Sequence, residues 1–462
     1  MNVSEQATHD GSLAAPSLQD RSRLTAGREI LAATATVTAL SIAVKAATGA
    51  RELLVAWLFG TSDAVDAYLI AYAVPYFLIT VVAGALPSVL VPAYLRVRHD
   101  DGAPAAELLL SSAVVLAAVV LVPLSVLLAM WAPGYLPLLA SRFMPEKLAL
   151  TAQLAIILAP TLATSTLISL LAAALNAHRR FTLAAVSPIV TTLVAIVSLI
   201  WFGSMLGIGA LALGVLFGNV LELAILLMAL RVARVHIRLP ATGVHQHVRG
   251  LWAPLAQTLA GSVLMASTLL VDQAMAAALQ PGSAAVLNYA MRLVMLPLSL
   301  TAAALGTVVL PHFSTMAAQG AWRDIQQVLG RYLRLIFAAC TAIAVVLIAL
   351  ASPLVQLLLE RGSFSPEATA TVAPTVAALA IQIPFYTATI VLMRVAAALR
   401  LTAQIALASA VNVVVNVAFN YWLSSFLGVA GIALSTSLVY VSAFALLLLA
   451  VRARLTAAVG QP

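Results

Sequence analysis

Along most of the chain, apolar runs long enough to cross a bilayer alternate with short breaks marked by charge, proline or glycine. A span of the hydrocarbon core needs roughly 20 mostly apolar residues. The runs predict twelve spans, over 30–58, 66–95, 106–131, 148–176, 183–202, 207–230, 250–279, 284–311, 330–357, 368–398, 402–423 and 428–450. Several exceed the minimum and have room to tilt or kink. Composition agrees, with 63% hydrophobic and 9% charged residues, against about 45–50% and 25% in soluble domains. The pattern predicts an all-α polytopic membrane protein. Residues 1–29 are polar and lack the short apolar region of a signal peptide; they read as a cytoplasmic tail, as does 453–462.

The spans are written twice. Ala85-Leu86-Pro87-Ser88-Val89-Leu90-Val91-Pro92 recurs in the second half as Ala304-Leu305-Gly306-Thr307-Val308-Val309-Leu310-Pro311. At almost the same spacing, Phe143-Met144-Pro145-Glu146 returns as Phe364-Ser365-Pro366-Glu367. Pro160 with Leu171-Ala172-Ala173-Ala174-Leu175 returns in turn as Pro384 with Val395-Ala396-Ala397-Ala398-Leu399. A proline kept in register in every echo argues against mere Ala/Leu bias. Six spans per copy start both copies on the same side, so the repeats are parallel. They make two six-helix bundles, 30–230 and 250–452, around a central cavity, joined by a basic linker over 231–249.

Charge sets the orientation rather than a nucleic-acid partner, although the formal net charge is +8. Of the 24 Lys and Arg residues, 17 fall in the tails and loops on the side of the N-terminus, and only Arg142, Lys147 and Arg361 fall in loops on the other side. Positive charge collects on the cytoplasmic side, which places both termini inside. The linker, with His236, His245 and His247 among its arginines, reads as a basic segment near anionic headgroups rather than a metal site. Cys340 is the only cysteine and reads as a packing residue. No phosphate-cradling Gly-rich Lys motif or loop carboxylate pair is present, and no loop is long enough to form a catalytic domain. The chain reads as a transporter, not an enzyme.

The basic residues left inside spans are Lys45, Arg51, Arg292 and Arg394. Among the acids, Glu52, Asp66, Glu222 and Asp272 lie in or at the edge of spans. Each such charge costs at least about 2.5–3.5 kcal/mol on insertion scales, so each faces a cavity or a partner. Each is by default a functional candidate; the alternative is a structural ion pair, such as Glu222 with a neighbouring basic group. Lys45, Arg51, Glu52, Asp66 and Arg292 together describe a cationic cavity suited to an anionic headgroup, since an arginine fork matches phosphate oxygens. Lys45 and Glu52 share a helical face, while Arg51 lies about 100° round from Glu52. Asn412, Asn416 and Asn420 recur on one face of the eleventh span; with Asp272 they could offer oxygens to a hard cation such as Na⁺, or serve as interhelical packing glue. Tyr289, Met291 and Met295 read as core.

These residues resemble a known family. Arg51-Glu52, Leu58-Phe59-Gly60, Asp66-Ala67-Tyr68 and Val91-Pro92 are similar to the first two helices of the MurJ/MviN lipid II flippases, of the multidrug/oligosaccharidyl-lipid/polysaccharide exporter superfamily. So are Tyr289-Ala290-Met291-Arg292-Leu293, with its continuation to Pro311, and Leu359-Glu360-Arg361-Gly362-Ser363-Phe364. The resemblance implies alternating access by two bundles and export of an undecaprenyl-linked glycan precursor across the bacterial inner membrane, alongside envelope-synthesis proteins. By position, Arg51, Asp66, Arg292 and Lys45 would contact substrate with Glu52 beside them, and Asp272, Asn412 and Asn416 would form a Na⁺ site, Na⁺ or H⁺ being the coupling ion. The chain departs from the family at Ile79 and Thr80, where paired arginines stand, and at Met291 and Met295, where acids stand. A flippase of exopolysaccharide or O-antigen units, and a multidrug/cation antiporter, are the rival readings.

Overall fold

A computed structural model describes residues 18–178, 180–235, 237, 248, 250–306 and 309–459, with side chains from Thr36 onward apart from Val37, 300–312 and Val459. The described residues are helical almost throughout. The first half comprises α1 (Leu18–Phe59), α2 (Asp63–Asp100), α3 (Ala103–Met130), α4 (Ala132–Leu139), α5 (Pro145–Leu158), α6 (Thr161–Ala177), α7 (Phe181–Val186), α8 (Pro188–Leu206) and α9 (Gly209–Val232). The second comprises α10 (Trp252–Ala277), α11 (Ser283–Gly306), α12 (Val309–Ala318), α13 (Trp322–Ala349), α14 (Ala351–Leu358), α15 (Pro366–Ala380), α16 (Gln382–Ala398), α17 (Thr402–Leu427) and α18 (Val429–Val459). Ten stretches of the described residues are long and apolar enough to cross a membrane. With α1 and α11 at the positions of the first and eighth spans, they reproduce the two-lobed arrangement that the sequence predicts.

The duplication extends to helix lengths. α3 and α13 are both 28 residues long and α4 and α14 both eight. The two pairs are separated by the same length of chain, from Ala103 to Trp322 and from Ala132 to Ala351. Pro145 and Pro366 open α5 and α15 at the first helical turn, where the missing N–H costs nothing. Pro160 and Pro384 mark the interrupted fourth and tenth spans, each removing one backbone hydrogen bond from its helix.

The structure revises three boundaries. α1 begins at Leu18, so the last part of the polar tail continues the first span as helix, and α18 runs on to Val459. The ninth span starts earlier than predicted, at Trp322. Most of the linker, its three histidines included, and Thr307 and Val308 of the second repeat motif lie outside the described residues.

Two apolar cores explain how the lobes stand. One core crosses between them at the end where α1 turns into α2 and α10 into α11, joining Val55, Ala56 and Ala67 to Ala284, Ala290 and Phe364. The second stays within the first lobe near the opposite, arginine-rich end, around Leu90, Leu109, Leu121, Leu170 and Leu226. Across the interface α2 packs on α10 and α11. The lobes are thus welded at one end.

Candidate functional site

The welded end is closed by backbone as much as by side chains. Asp66, 1% exposed, accepts from the amides of Gly282 at 2.6 Å and Ala285 at 2.9 Å on the other lobe. Carboxylates are favoured at a helix N-terminus, where α11 presents free N–H groups. Lys147, at the start of α5, reaches the same carboxylate at 2.8 Å and Asp63 at 2.6 Å. Tyr289 donates its hydroxyl to the Gly60 carbonyl at 2.9 Å, and the Ser363 amide donates to the Trp57 carbonyl at 2.8 Å. Gly60 (φ 56°) and Gly282 (φ 85°) occupy equivalent turns in left-handed backbone, and each lies against the facing lobe's chain: a Cβ on Gly60 would strike the Ser363 carbonyl, and one on Gly282 the Thr61 carbonyl. Only glycine accepts that combination without strain.

Beneath this seal lies a cavity of about 460 Å³ between the lobes. Lys45 from α1, Tyr72 and Tyr76 from α2, Asp272 and Gln273 from α10 and Arg292 from α11 are among its walls. Arg292 stands nine residues into α11, about 14 Å from the sealed end at 1.5 Å rise per residue. Its Nη2 lies 3.7 Å from Glu52, which also receives Arg51 at 2.7 Å. The neighbours Arg51 and Glu52, which the helical wheel sets about 100° apart, meet because their half-buried charges find no better partner and arginine is long enough to bend across. Three cations, Lys45, Arg51 and Arg292, therefore face one carboxylate in this sector, which is net basic. Tyr68, Tyr72 and Tyr76 follow one another down α2, with ring centroids 6.1 and 5.6 Å apart.

Asp272 sits at the second-lobe edge of the cavity, 3% exposed. It accepts from Asn416 at 2.9 Å, Asn420 at 2.6 Å and Thr436 at 3.1 Å. Asn412 is not part of this group; its Oδ1 accepts from Ser442 at 3.0 Å. Asn420 Oδ1 is buried without a partner, and turning that amide over would aim an oxygen at Asp272. One carboxylate with amide and hydroxyl oxygens suits a hard monovalent cation. Among the described residues no group of three or more His, Cys, Asp or Glu could hold a metal.

The sequence-predicted residues thus divide. Lys45, Arg292 and Asp272 line the cavity; Arg51 and Glu52 stand beside it, linked through Arg292; Asp66 lies in the seal, off the cavity wall. Met291 and Met295, expected in the core, line the cavity, while Tyr289 is core and seal at once. Glu222 is buried, and among the described residues its partners are not cations but the hydroxyls of Ser187 at 2.9 Å and Thr191 at 2.7 Å. Arg394 is exposed. Lys147, Thr436 and the tyrosine series escape a reading by charge within spans, although the four-residue spacing of Tyr68, Tyr72 and Tyr76 is the same signal that picked out the asparagines.

Two parallel six-helix lobes, sealed at one end around a basic intramembrane cavity, define a polytopic membrane transporter. The profile described as lipid II flippase MurJ matches residues 55–461. The chain belongs to that family. The probable lipid II flippase MurJ of Synechocystis sp. is 28% identical over 405 residues, covering 84% of this chain and 74% of that protein. The lipid II flippase MurJ of Burkholderia cenocepacia is 28% identical over 341 residues, covering 71% of this chain and 65% of that protein. The fold matches a solved lipid II flippase MurJ in an inward closed conformation with a TM-score of 0.78 at 23% identity, over 90% of this chain and 87% of that one. An inward-facing MATE multidrug transporter of the MOP superfamily gives a TM-score of 0.77 at 14% identity, over 91% of this chain and 99% of that one.

Proposed function

We propose that the chain carries an undecaprenyl-pyrophosphate-linked cell-envelope precursor, lipid II or a close analogue, from the inner to the outer leaflet of the bacterial inner membrane. The observation that carries this reading is the basic cavity, with Lys45 and Arg292 on its walls, beneath a seal that joins the lobes at the end away from the arginine-rich loops. The arginine-rich end is cytoplasmic by the positive-inside rule, so the seal is periplasmic and the cavity receives its ligand from inside. Arg292 and Arg51 bind pyrophosphate oxygens in competition with Glu52, and the lipid tail stays in the bilayer. Breaking the Asp66 amide contacts and closing the cytoplasmic ends of the lobes turns the cavity outward. Nothing in this cycle makes or breaks a covalent bond in the cargo.

The Asp272 group is the place for a coupling Na⁺, or for a proton. Moving one charge across the membrane is worth about 2.3 kcal/mol per 100 mV, enough to reset the inward state. The test is rescue of cells depleted of their lipid II flippase. Wild-type chain is expected to restore growth, and Arg51→Ala and Arg292→Ala are expected to reach the membrane without restoring it. Rescue by both variants would sink the proposed grip on phosphate. Failure of the wild type, with accumulation of another polyprenyl-linked glycan in the parent deletion strain, would move the assignment to an exopolysaccharide unit, a reading favoured by neutral Ile79, Thr80, Met291 and Met295. The family match weighs against the drug antiporter.

A further inference from the structure

The cavity has two chemically different sectors. Lys45 and Arg292 give one its charge. The other, on the second lobe, adds three neutral amides beside the Asp272 carboxylate: Gln273 on α10, Asn288 on α11 one turn from Arg292, and Gln382 at the start of α16. Gln273 is 9% exposed and Gln382 4%, so both are held by protein rather than by water. Gln273 Oε1 is buried and accepts no hydrogen bond. Leaving a buried acceptor empty costs about 1–3 kcal/mol, a cost that native proteins rarely carry without a use for the group.

Its neighbour sharpens the point. Asp272 is satisfied by Asn416, Asn420 and Thr436 inside the second lobe. Gln273, about 100° further round the same helix, lies where a leucine or methionine would pack at no polar cost, as Met265 and Leu269 do on the same wall. An amide offers one acceptor and two donor hydrogens without charge. That is the complement of a hydroxyl or acetamido group, not of a phosphate.

We infer that Gln273, with Gln382 and Asn288, is a sugar-reading subsite that hydrogen-bonds the hydroxyl or acetamido groups of the glycan next to the pyrophosphate held at Arg292. The inference rests on the flippase reading and adds the division of labour within the headgroup: cations anchor the phosphates common to every polyprenyl carrier, and amides select among glycans. A site built to hydrogen-bond a substrate group rejects the analogue lacking it, because its own polar atoms are then left unpaired.

The experiment measures binding of two probes to the full chain in nanodiscs: undecaprenyl pyrophosphate, and the same lipid bearing N-acetylmuramyl pentapeptide and N-acetylglucosamine. Wild type should bind the sugar-bearing lipid about tenfold more tightly or better, a gain of about 1.4 kcal/mol. Gln273→Leu and Gln382→Leu should each cut that preference about fivefold, the value of one neutral hydrogen bond, with affinity for the sugar-free lipid within about twofold of wild type. Arg292→Ala should weaken both probes alike. Unchanged binding of the sugar-free lipid reports that a variant is folded, and Asn288→Ala makes the same test should a glutamine variant fail to reach the membrane. Equal loss for both probes in the glutamine variants, or an intact preference with an altered Na⁺ response, overturns the inference. If wild type binds neither probe, the flippase reading itself fails; if it binds both equally, only the subsite does.

Discussion

The two lobes share a blueprint and differ in where they keep their carboxylates. With the repeats laid over one another on the paired turn glycines Gly207 and Gly428, Thr191 of the first lobe corresponds to Asn412 of the second, and Glu222 to Ala443, the neighbour of Ser442. Each lobe joins this helix pair by a polar contact of its own chemistry: Thr191 donates to Glu222 at 2.7 Å, and Ser442, one residue off the equivalent position, donates to Asn412 at 3.0 Å. The reverse holds at the cavity. Asn416 and Asn420, which hold Asp272, have Ala195 and Leu199 as first-lobe counterparts, both buried apolar residues. Duplication preserved the lengths of several helices and the kinks because these set packing; ionisable groups moved freely because each needs only local partners. The second lobe therefore carries its carboxylate at the cavity, and the first lobe encloses Glu222 among hydroxyls.

Three experiments probe that asymmetry, in decreasing order of effect. Arg292→Ala is expected to abolish rescue of flippase-depleted cells, whereas Glu222→Gln, which keeps volume and one acceptor for Ser187 or Thr191, should grow as wild type. Equal loss would show that the first lobe also contributes a transport carboxylate. Asp272→Ala strips three donors of their acceptor. It should cost about 1–3 kcal/mol, read as a lower Tm in detergent, and remove any Tm increase produced by Na⁺. A sodium-dependent Tm that survives in Asp272→Ala but not in Glu222→Gln would reverse the comparison. Gly282→Ala drives a methyl group into the Thr61 carbonyl at the interface. In a Cys340→Ala background, Ala285→Cys, at a position buried in the seal, should then label from the periplasm about tenfold faster, a shift of about 1.4 kcal/mol toward the outward state; unchanged labelling would mean that the seal is held elsewhere.

What was legible in the sequence follows from cost. Charges within spans are expensive, so Lys45, Arg292 and Asp272 stood out and do line the cavity. Prolines in register exposed the repeat because a kink is fixed by a single residue. The seal was illegible for the opposite reason: Asp66 is met by the backbone amides of Gly282 and Ala285, and every residue but proline carries such a donor. Lys147, assigned to a loop, is bent inward onto Asp66 by a turn that periodicity does not describe. The asparagine ladder gave the right face and Asn416 on it, but not which other rung joins it, since a shared face does not say which rungs a neighbouring helix presents. Asn420 meets Asp272, and Asn412 meets Ser442.

That last distinction carries the finest test, because a comparable contact between the same pair of helices can be deleted in both lobes. Asn412→Ala removes a neutral pair, leaves Ser442 its bond to the Val439 carbonyl, and touches neither Asp272 nor its partners. It should cost about 0.5–1.5 kcal/mol and leave any Na⁺ response intact. Thr191→Ala removes one of the two hydroxyls that satisfy the buried Glu222 carboxyl and should cost more, about 1.5–3 kcal/mol, as hydrogen bonds to charged groups do. Tm measured for the two variants in parallel decides the matter. A larger loss for Asn412→Ala would place that residue in the cation group after all, and equal losses would mean that Glu222 is held neutral, making the two lobes alike in the strength of the contact they share.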